Sequence, residues 1–429
     1  MDVLNLGPLP SLRGEIRLPG SKSLSNRYLL LAALAQGTTR LSGLLESEDT
    51  HAMLGALAAT GVQVDRLGED YVVAGLGGPH FASVTGALDL GNAGTAMRPL
   101  CAALCAAHGE WILDGVARMR ERPIGDLLEG LTPLLAAGGR IEALGKPGYP
   151  PLRVMARGLS GGRAEIAGNT SSQFLSALLM ASPLAQTPVE IAVKGDLISK
   201  PYVDITLSLM RRFGVVVERD GYQAFRIAPQ TYRSPGAVAV EGDASSASYF
   251  LSFGALGGPV RVLGCGRESI QGDAHFAQVL EKMGAQVRLG DDWIEAEAPC
   301  GGAPLRALDI DMIDMPDAAM TLATLALFAE GRTLIRGIGS WRVKETERVV
   351  AVRDELRKLG ATVEEGPDWI AVTPPAKLLP ARIATYKDHR MAMAFSLAAH
   401  GAPLEIEDPD CTSKTFPGYF AELGRLAAR

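Results

Sequence analysis

Six stretches of the sequence repeat one pattern, a polar or Gly-rich turn followed at once by an apolar segment rich in Ala, Leu and Met. The turns lie at residues 19–23, 91–95, 168–172, 242–246, 315–317 and 387–390. Anchored on Ser23, Thr95, Ser171, Ser245, Asp317 and His389, they recur at intervals of 72, 76, 74, 72 and 72 residues. A second marker keeps step with the first. Gly61, Gly138, Gly214, Gly284 and Gly360 each stand three residues before a β-branched residue, spaced 77, 76, 70 and 76 apart. Gly is the residue expected just past a helix, and a strand follows it. Two markers in phase predict six copies of one α/β unit.

A sixth helix end is expected at Gly424, yet the chain runs only to Arg429. The strand of that last unit must come from elsewhere, and residues 12–18 are the expected donor. The repeat then divides the chain into two lobes, residues 21–240 and residues 241–429 plus 1–20. Ser234-Pro235-Gly236 marks the second crossing between them. Two crossings predict a hinge.

Composition narrows the function. With 47% apolar and 21% charged residues the chain is predicted to fold as an ordinary globular protein. Its 42 basic and 48 acidic side chains give a net charge of −6. No global positive field draws nucleic acid or an anionic membrane, so any bound anion needs a local cluster. No apolar run approaches the ~20 residues of a membrane span, and Met1-Asp2-Val3-Leu4 lacks the basic start of a secretion signal. A cytoplasmic protein is expected. The five cysteines follow no Cys-x-x-Cys spacing and the six histidines form no His-Glu-x-x-His, so no metal is expected. Cys101 and Cys105, four apart, read as small hydrophobes on one helical face.

Each unit starts a helix after a polar turn, and helix N-termini attract anions. If the related units aim these ends alike, two lobes make a clamp for a multiply anionic substrate. Gly20-Ser21-Lys22-Ser23-Leu24-Ser25-Asn26-Arg27 packs two cations and three hydroxyls into one helix start, without the spacing of a Walker A loop. Ser171-Ser172-Gln173 offers two hydroxyls and an amide at another. Basic residues also gather at Arg118-Met119-Arg120-Glu121-Arg122 and at Trp341-Arg342-Val343-Lys344-Glu345-Thr346-Glu347-Arg348. On a helix Lys344 and Arg348 share one face, with Glu345 beside them. Asp317, between a Pro and an apolar run, is a candidate N-cap and a candidate catalytic carboxylate.

These residues carry a resemblance. Leu18-Pro19-Gly20-Ser21-Lys22-Ser23, Leu90-Gly91-Asn92-Ala93-Gly94-Thr95-Ala96-Met97-Arg98-Pro99 and Glu121-Arg122-Pro123-Ile124-Gly125 are characteristic of it. So are Arg342-Val343-Lys344-Glu345-Thr346, Asp388-His389-Arg390-Met391-Ala392-Met393 and Lys414-Thr415-Phe416-Pro417. The chain resembles the 5-enolpyruvylshikimate-3-phosphate synthases (3-phosphoshikimate 1-carboxyvinyltransferases) of the glyphosate-sensitive bacterial type. The resemblance implies a two-lobed inside-out α/β barrel of six βαβαββ repeats, three per lobe. It implies transfer of the enolpyruvyl group of phosphoenolpyruvate to shikimate 3-phosphate, by a monomer without a cofactor.

Position by position, the resemblance gives shikimate 3-phosphate the residues Lys22, Ser23, Arg27, Ser171, Ser172, Gln173, Ser199, Tyr202, Asp317, Ser340 and Lys344. It gives phosphoenolpyruvate Lys22, Gly94, Arg122, Gln173, Arg348, Arg390 and Lys414, and the inhibitor glyphosate the same cations. Arg and Lys around a trianion, with a Gly allowing close backbone approach, suit a carboxylate and a phosphate. Ser340 departs from the family, which usually has Asn there, and its shorter hydroxyl is expected to reach substrate through water. A hydroxyl that attacks C2 of phosphoenolpyruvate must lose a proton while the methylene carbon gains one. Asp317 is the expected base, Glu345 the expected acid, and Lys22 the expected partner of the oxygen that leaves with phosphate.

Three rivals are weaker. UDP-N-acetylglucosamine enolpyruvyl transferases share the architecture but typically carry a reactive Cys in the loop matching residues 116–123, where this chain has none. RNA 3′-phosphate cyclases use related units, against which the acidic balance argues. A clamp without catalysis has no use for both candidate carboxylates.

Overall fold

The computed structural model describes residues 2–9 and 11–428. It has an α/β fold that divides into two compact units, one of Gly20–Val240 and one of Met1–Pro19 with Glu241–Arg429.

The Gly20–Val240 unit holds three four-stranded sheets with one strand order. In the first, Ala237–Ala239 runs parallel to Thr38–Ser42, which pairs antiparallel with Asp70–Ala74 and that with Gln63–Leu67. Ala87–Asp89, His108–Asp114, Leu152–Arg157 and Arg140–Ala143 repeat the arrangement. Gly162–Ala167, Val189–Lys194, Ala224–Ile227 and Glu218–Asp220 repeat it again. The outer parallel strand always ends a neighbouring segment, so each sheet is stitched to the next. Helices Lys22–Leu34, Gly94–Cys105 and Ser172–Ala181 pack on one another and are buried almost all round. That is why they are apolar on every face, without the stripe of a surface helix. Cys101 and Cys105 are fully buried in the second of them.

In the other unit Gly14–Arg17, Val260–Leu263, Trp293–Glu297 and Gln286–Leu289 form the same kind of sheet. So do Asp309–Asp311, Thr333–Arg336, Trp369–Thr373 and Thr362–Glu365. Buried helices Ala244–Leu256, Ala319–Leu325 and His389–Phe395 take the central positions. All six expected helix starts therefore coincide with observed ones to within two residues. Gly61, Gly138, Gly214, Gly284 and Gly360 all adopt positive φ, between 80° and 103°. That left-handed turn favours Gly because it has no Cβ.

Three expectations need correction. Gly424 does not end a helix; it lies within Tyr419–Ala427, whose buried Leu423 and Leu426 carry the apolar face past it. The last sheet has three strands, Ala381–Ile383, Leu404–Glu407 and Val3–Leu6. Its added strand is Val3–Leu6, because the vacant place needs an antiparallel partner for Leu404–Glu407. Residues 12–18 instead supply Gly14–Arg17, which runs parallel to Val260–Leu263 as an outer strand. Finally, Lys344 and Arg348 do not share a helix. A 3₁₀ segment Gly339–Val343 ends at an extended Lys344, and a new helix begins at Arg348. Among the described residues no helix is long and apolar enough to cross a membrane.

Candidate active site

In the Gly20–Val240 unit, the Lys22–Leu34 helix begins with a cation that is only 8% exposed. Lys22 Nζ lies 3.4 Å from Asp49 Oδ2. Asp49 is in the first turn of helix Glu48–Ala59, where a carboxylate complements the helix dipole and Ser47 caps the backbone.

One turn after Ser23, Arg27 is buried to 4% exposure. Its Nε donates to Thr206 Oγ1 (2.8 Å), Nη1 to the Ser23 carbonyl (3.0 Å) and Nη2 to Ser176 Oγ (3.4 Å). All three partners are neutral. Burial therefore pulls the guanidinium down to about 10, against the opposing effect of Tyr202. Among the described residues its hydrogen bonds are thus met by hydroxyls and a carbonyl. Ser171 caps the Ser172–Ala181 helix, accepting from Gln173 N at 3.3 Å, and leaves Ser172 in the first turn. Ser199 starts the Lys200–Arg212 helix at φ 54°, a left-handed conformation uncommon for a residue with a Cβ, and Tyr202 follows half-buried.

Of the Arg118-Arg120-Arg122 series, the first two are surface groups paired with Glu121 and Asp114. Arg122 is 4% exposed. Its Nη1 donates to the Asn92 carbonyl (3.0 Å) and to Asn92 Oδ1 (2.9 Å). Gly94 sits directly beneath it. A Cβ on Gly94 would stand 2.8 Å from Arg122 Nη2 and would also collide with Arg98.

The second cluster lies in the other unit and centres on Asp317. Trp341, fully buried, donates its indole N–H to the Pro316 carbonyl at 2.6 Å and so fixes the turn that carries Asp317. Asp317 Oδ1 accepts from Arg348 Nη1 at 3.0 Å, and Lys344 Nζ lies 3.6 Å from the same oxygen. Oδ2 accepts from Arg390 Nη2 at 2.9 Å. Lys344 and Arg348 thus converge from opposite sides of a helix break. Burial alone raises the Asp317 pKa, but Arg390, Lys344 and Arg348 outweigh it and hold the carboxyl well below the usual range.

Arg348 is 1% exposed and also donates to Glu345 Oε2 (2.8 Å) and Asp388 Oδ2 (2.8 Å). Burial works against its charge, while Asp388, Glu345 and Asp317 together raise its pKa. Asp388 caps the His389–Phe395 helix by accepting from Arg390 N at 3.0 Å, so one carboxylate places both arginines. Lys414 is buried in Pro409–Lys414, which packs on that helix. Ser340 Oγ is buried without a hydrogen-bond partner among the described residues, a cost unless a ligand or water meets it.

The named residues thus divide between the two units. Asp49, Arg98, Thr206, Ser176 and Asp388 carried no sequence signal of their own, although Arg98 and Asp388 stand inside recognised motifs.

A family model for EPSP synthase (3-phosphoshikimate 1-carboxyvinyltransferase) matches residues 8–423. The 3-phosphoshikimate 1-carboxyvinyltransferase of Shewanella sp. (strain MR-7) is 58% identical over 434 residues, covering 100% of both chains. That of Herminiimonas arsenicoxydans is 55% identical over 435 residues, covering 99% of this chain and 97% of its own. Among solved structures, EPSP synthase from Acinetobacter baumannii superposes with a TM-score of 0.80 at 25% identity, covering 99% of this chain and 98% of that one. Matched nearly end to end by the family model and by these relatives, the chain belongs to the EPSP synthase (3-phosphoshikimate 1-carboxyvinyltransferase) family.

Proposed function

We infer that the two clusters are the substrate-binding groups of the family's reaction. That reaction transfers the enolpyruvyl group of phosphoenolpyruvate to the 5-hydroxyl of shikimate 3-phosphate and releases inorganic phosphate, and this chain is a transferase of that kind. The observation that carries the site reading is the convergence of Lys344, Arg348 and Arg390 on Asp317. It surrounds a candidate base with the cations that a carboxylate and a phosphate require.

In this reading Lys22, Ser23, Arg27, Ser171, Ser172, Gln173, Ser199, Tyr202, Asp317, Ser340 and Lys344 hold shikimate 3-phosphate. Lys22, Gly94, Arg122, Gln173, Arg348, Arg390 and Lys414 hold phosphoenolpyruvate. The 5-hydroxyl attacks C2 and gives its proton to Asp317, while Glu345 protonates the methylene carbon. The adduct then returns a proton of its new methyl group to the Glu345 carboxylate as the C2–O bond to phosphate breaks, and Lys22 stabilises the departing oxygen. With its cations attached Asp317 is a weak base. An anionic substrate that draws those cations away returns it toward ordinary basicity, so the base becomes competent when substrate is present. The reading also takes residues 21–240 and 241–429 plus 1–20 as lobes of an inside-out α/β barrel of six βαβαββ repeats, three per lobe. The strand order shared by five four-stranded sheets supports it. A cytoplasmic monomer completes the proposal.

Phosphate release measured with both substrates, with each alone, and with UDP-N-acetylglucosamine as acceptor tests the function. Release that needs both shikimate 3-phosphate and phosphoenolpyruvate is expected; release without shikimate 3-phosphate overturns it.

Two substitutions probe the clusters. Ser340→Asn gives the unpartnered position a longer amide and is expected to tighten shikimate 3-phosphate by about threefold to tenfold, since it replaces a water-bridged contact. Unchanged binding by calorimetry rejects that contact. Glyphosate, with a carboxylate and a phosphonate, is expected to compete with phosphoenolpyruvate. Gly94→Ala drives a methyl into the Arg122 and Arg98 guanidiniums, at ~1–3 kcal/mol for a crowded site. The glyphosate Ki is expected to rise by a larger factor than the phosphoenolpyruvate KM, because the inhibitor is longer at that end. Equal factors reject the steric account.

A further inference from the structure

Glu355 lies outside every proposed ligand set, yet it is buried to 0% exposure. It follows Arg348 by about two turns on the Arg348–Lys358 helix, so the two side chains share one face. Its Oε2 accepts from Ala384 N at 3.1 Å, and its Oε1 accepts from the Tyr386 hydroxyl at 2.8 Å. Lys358 Nζ donates to both oxygens, at 2.6 and 2.9 Å, and meets the charge. Burial and then the bond to Glu355 raise the Tyr386 phenol pKa, which keeps it a neutral donor.

The segment gripped in this way is strained. Tyr386 and Lys387 follow one another at φ 54° and φ 57°, a left-handed conformation that residues with a Cβ seldom adopt. Two in a row persist only where the surroundings hold them. Asp388 comes next. Its carboxylate accepts from Arg348 Nε at 2.8 Å, from Arg348 Nη2 at 3.3 Å and from Arg390 N at 3.0 Å. The Arg348–Lys358 helix therefore grips residues 384–388 twice, through Arg348 at its start and Glu355 near its end. A buried ion pair is weak support for stability, because apolar residues of like volume fill a core as well. What an apolar residue cannot do is accept from the strained turn, and that turn aims the carboxylate shared by both arginines.

We propose that Glu355 is a positioning residue: through Ala384 N and the Tyr386 hydroxyl it holds the left-handed turn that brings Asp388 to Arg348 and Arg390, and so sets where those arginines meet phosphoenolpyruvate. The proposal rests on the reading of Arg348 and Arg390 as phosphoenolpyruvate ligands.

Steady-state kinetics on the full chain test it, with thermal midpoints alongside. Glu355→Gln places an amide N–H among donors and is expected to raise the phosphoenolpyruvate KM about tenfold. The shikimate 3-phosphate KM is expected to rise less than about twofold, because Trp341 fixes the Asp317 turn from another element. Tyr386→Phe removes one hydroxyl from an exposed side chain and is expected to raise the phosphoenolpyruvate KM about fivefold. In the Glu355→Gln background it is expected to add less than about twofold, since both changes break one contact. Asn tolerates the left-handed conformation better than Lys, so Lys387→Asn makes the turn less dependent on its hold. Added to Tyr386→Phe, it is expected to return the phosphoenolpyruvate KM to within about twofold of the parent. If Glu355→Gln does not fold, Tyr386→Phe and this rescue carry the test.

Additive effects of Glu355→Gln and Tyr386→Phe, or no recovery with Lys387→Asn, overturn the proposal. Equal rises in both KM values, or a fall in thermal midpoint with neither KM changed, overturn it in favour of a merely structural role. An Arg390→Lys chain whose phosphoenolpyruvate KM is unchanged overturns the ligand reading itself, and the positioning role falls with it. A raised KM in that chain with none in the Glu355 and Tyr386 variants overturns the positioning role alone.

Discussion

Asp317→Ala is expected to slow the first turnover by about 10²–10⁴-fold, the range that a positioned base contributes. A second effect goes the other way. In the free chain Asp317 is an internal anion paired with Lys344, Arg348 and Arg390. Its removal takes one carboxylate away from Arg348 and Arg390, which this reading gives to phosphoenolpyruvate, so that substrate is expected to bind tighter while the chemistry slows. Rapid-quench measurement of one turnover, with equilibrium binding beside it, reads both. An unimpaired first turnover removes Asp317 from the role of base, and weaker binding removes it from the role of internal anion.

Asp273→Asn is expected to make the protein more stable, and only above mildly acidic pH. Asp273 lies in the 3₁₀ segment Gly272–His275, 5% exposed. Oδ2 accepts from Ser245 Oγ, while Oδ1 is buried with no hydrogen-bond partner among the described residues. Burial, then the charges of Asp317 and Asp243, push its carboxyl up to about 7, against the lowering effects of Ser245 and Arg390. Unfolded, the same group titrates near ~3.9. The folded chain therefore holds a proton that the unfolded chain has lost between these two values. Stability falls as pH rises through that window and levels off above it. The amide keeps the shape of the protonated acid but has no charge to bury. Its advantage over the parent chain is expected to grow across the window to about 4 kcal/mol. Urea unfolding of both chains at pH 5 and pH 8 decides it: an equal difference at the two pH values rules out the linkage.

The repeat was legible because it is written locally. A buried central helix needs an apolar run, and a helix that turns sharply into a strand needs a Gly with positive φ; both leave marks within a few residues of the chain. The end of the repeat was not legible for the same reason. Val3–Leu6 and Gly14–Arg17 are both short strands, and only the vacancy each one fills tells which is parallel and which antiparallel. The two groups of candidate residues were found through motif resemblance. The groups that hold them were not. Asp49 beside Lys22, Thr206 and Ser176 around Arg27, and Asp388 behind Arg348 are set by packing across the fold. The helix expected through Lys344 and Arg348 failed because periodicity cannot register the extended Lys344 between them. Convergence on Asp317 needs that break, since the two cations reach one carboxylate from separate elements.

The way the two termini share a sheet also has a consequence for synthesis. Every strand of the Gly20–Val240 unit comes from residues 38–239, so its sheets can close while the second half of the chain has yet to emerge. Val3–Leu6 is made about 400 residues before Leu404–Glu407, the strand it pairs with. At ~5–20 residues per second the leading strand waits roughly 20–80 s for its partner. During that time it is an unpaired strand edge beside a finished neighbour, and a cell that makes this protein has to keep that edge from finding another chain.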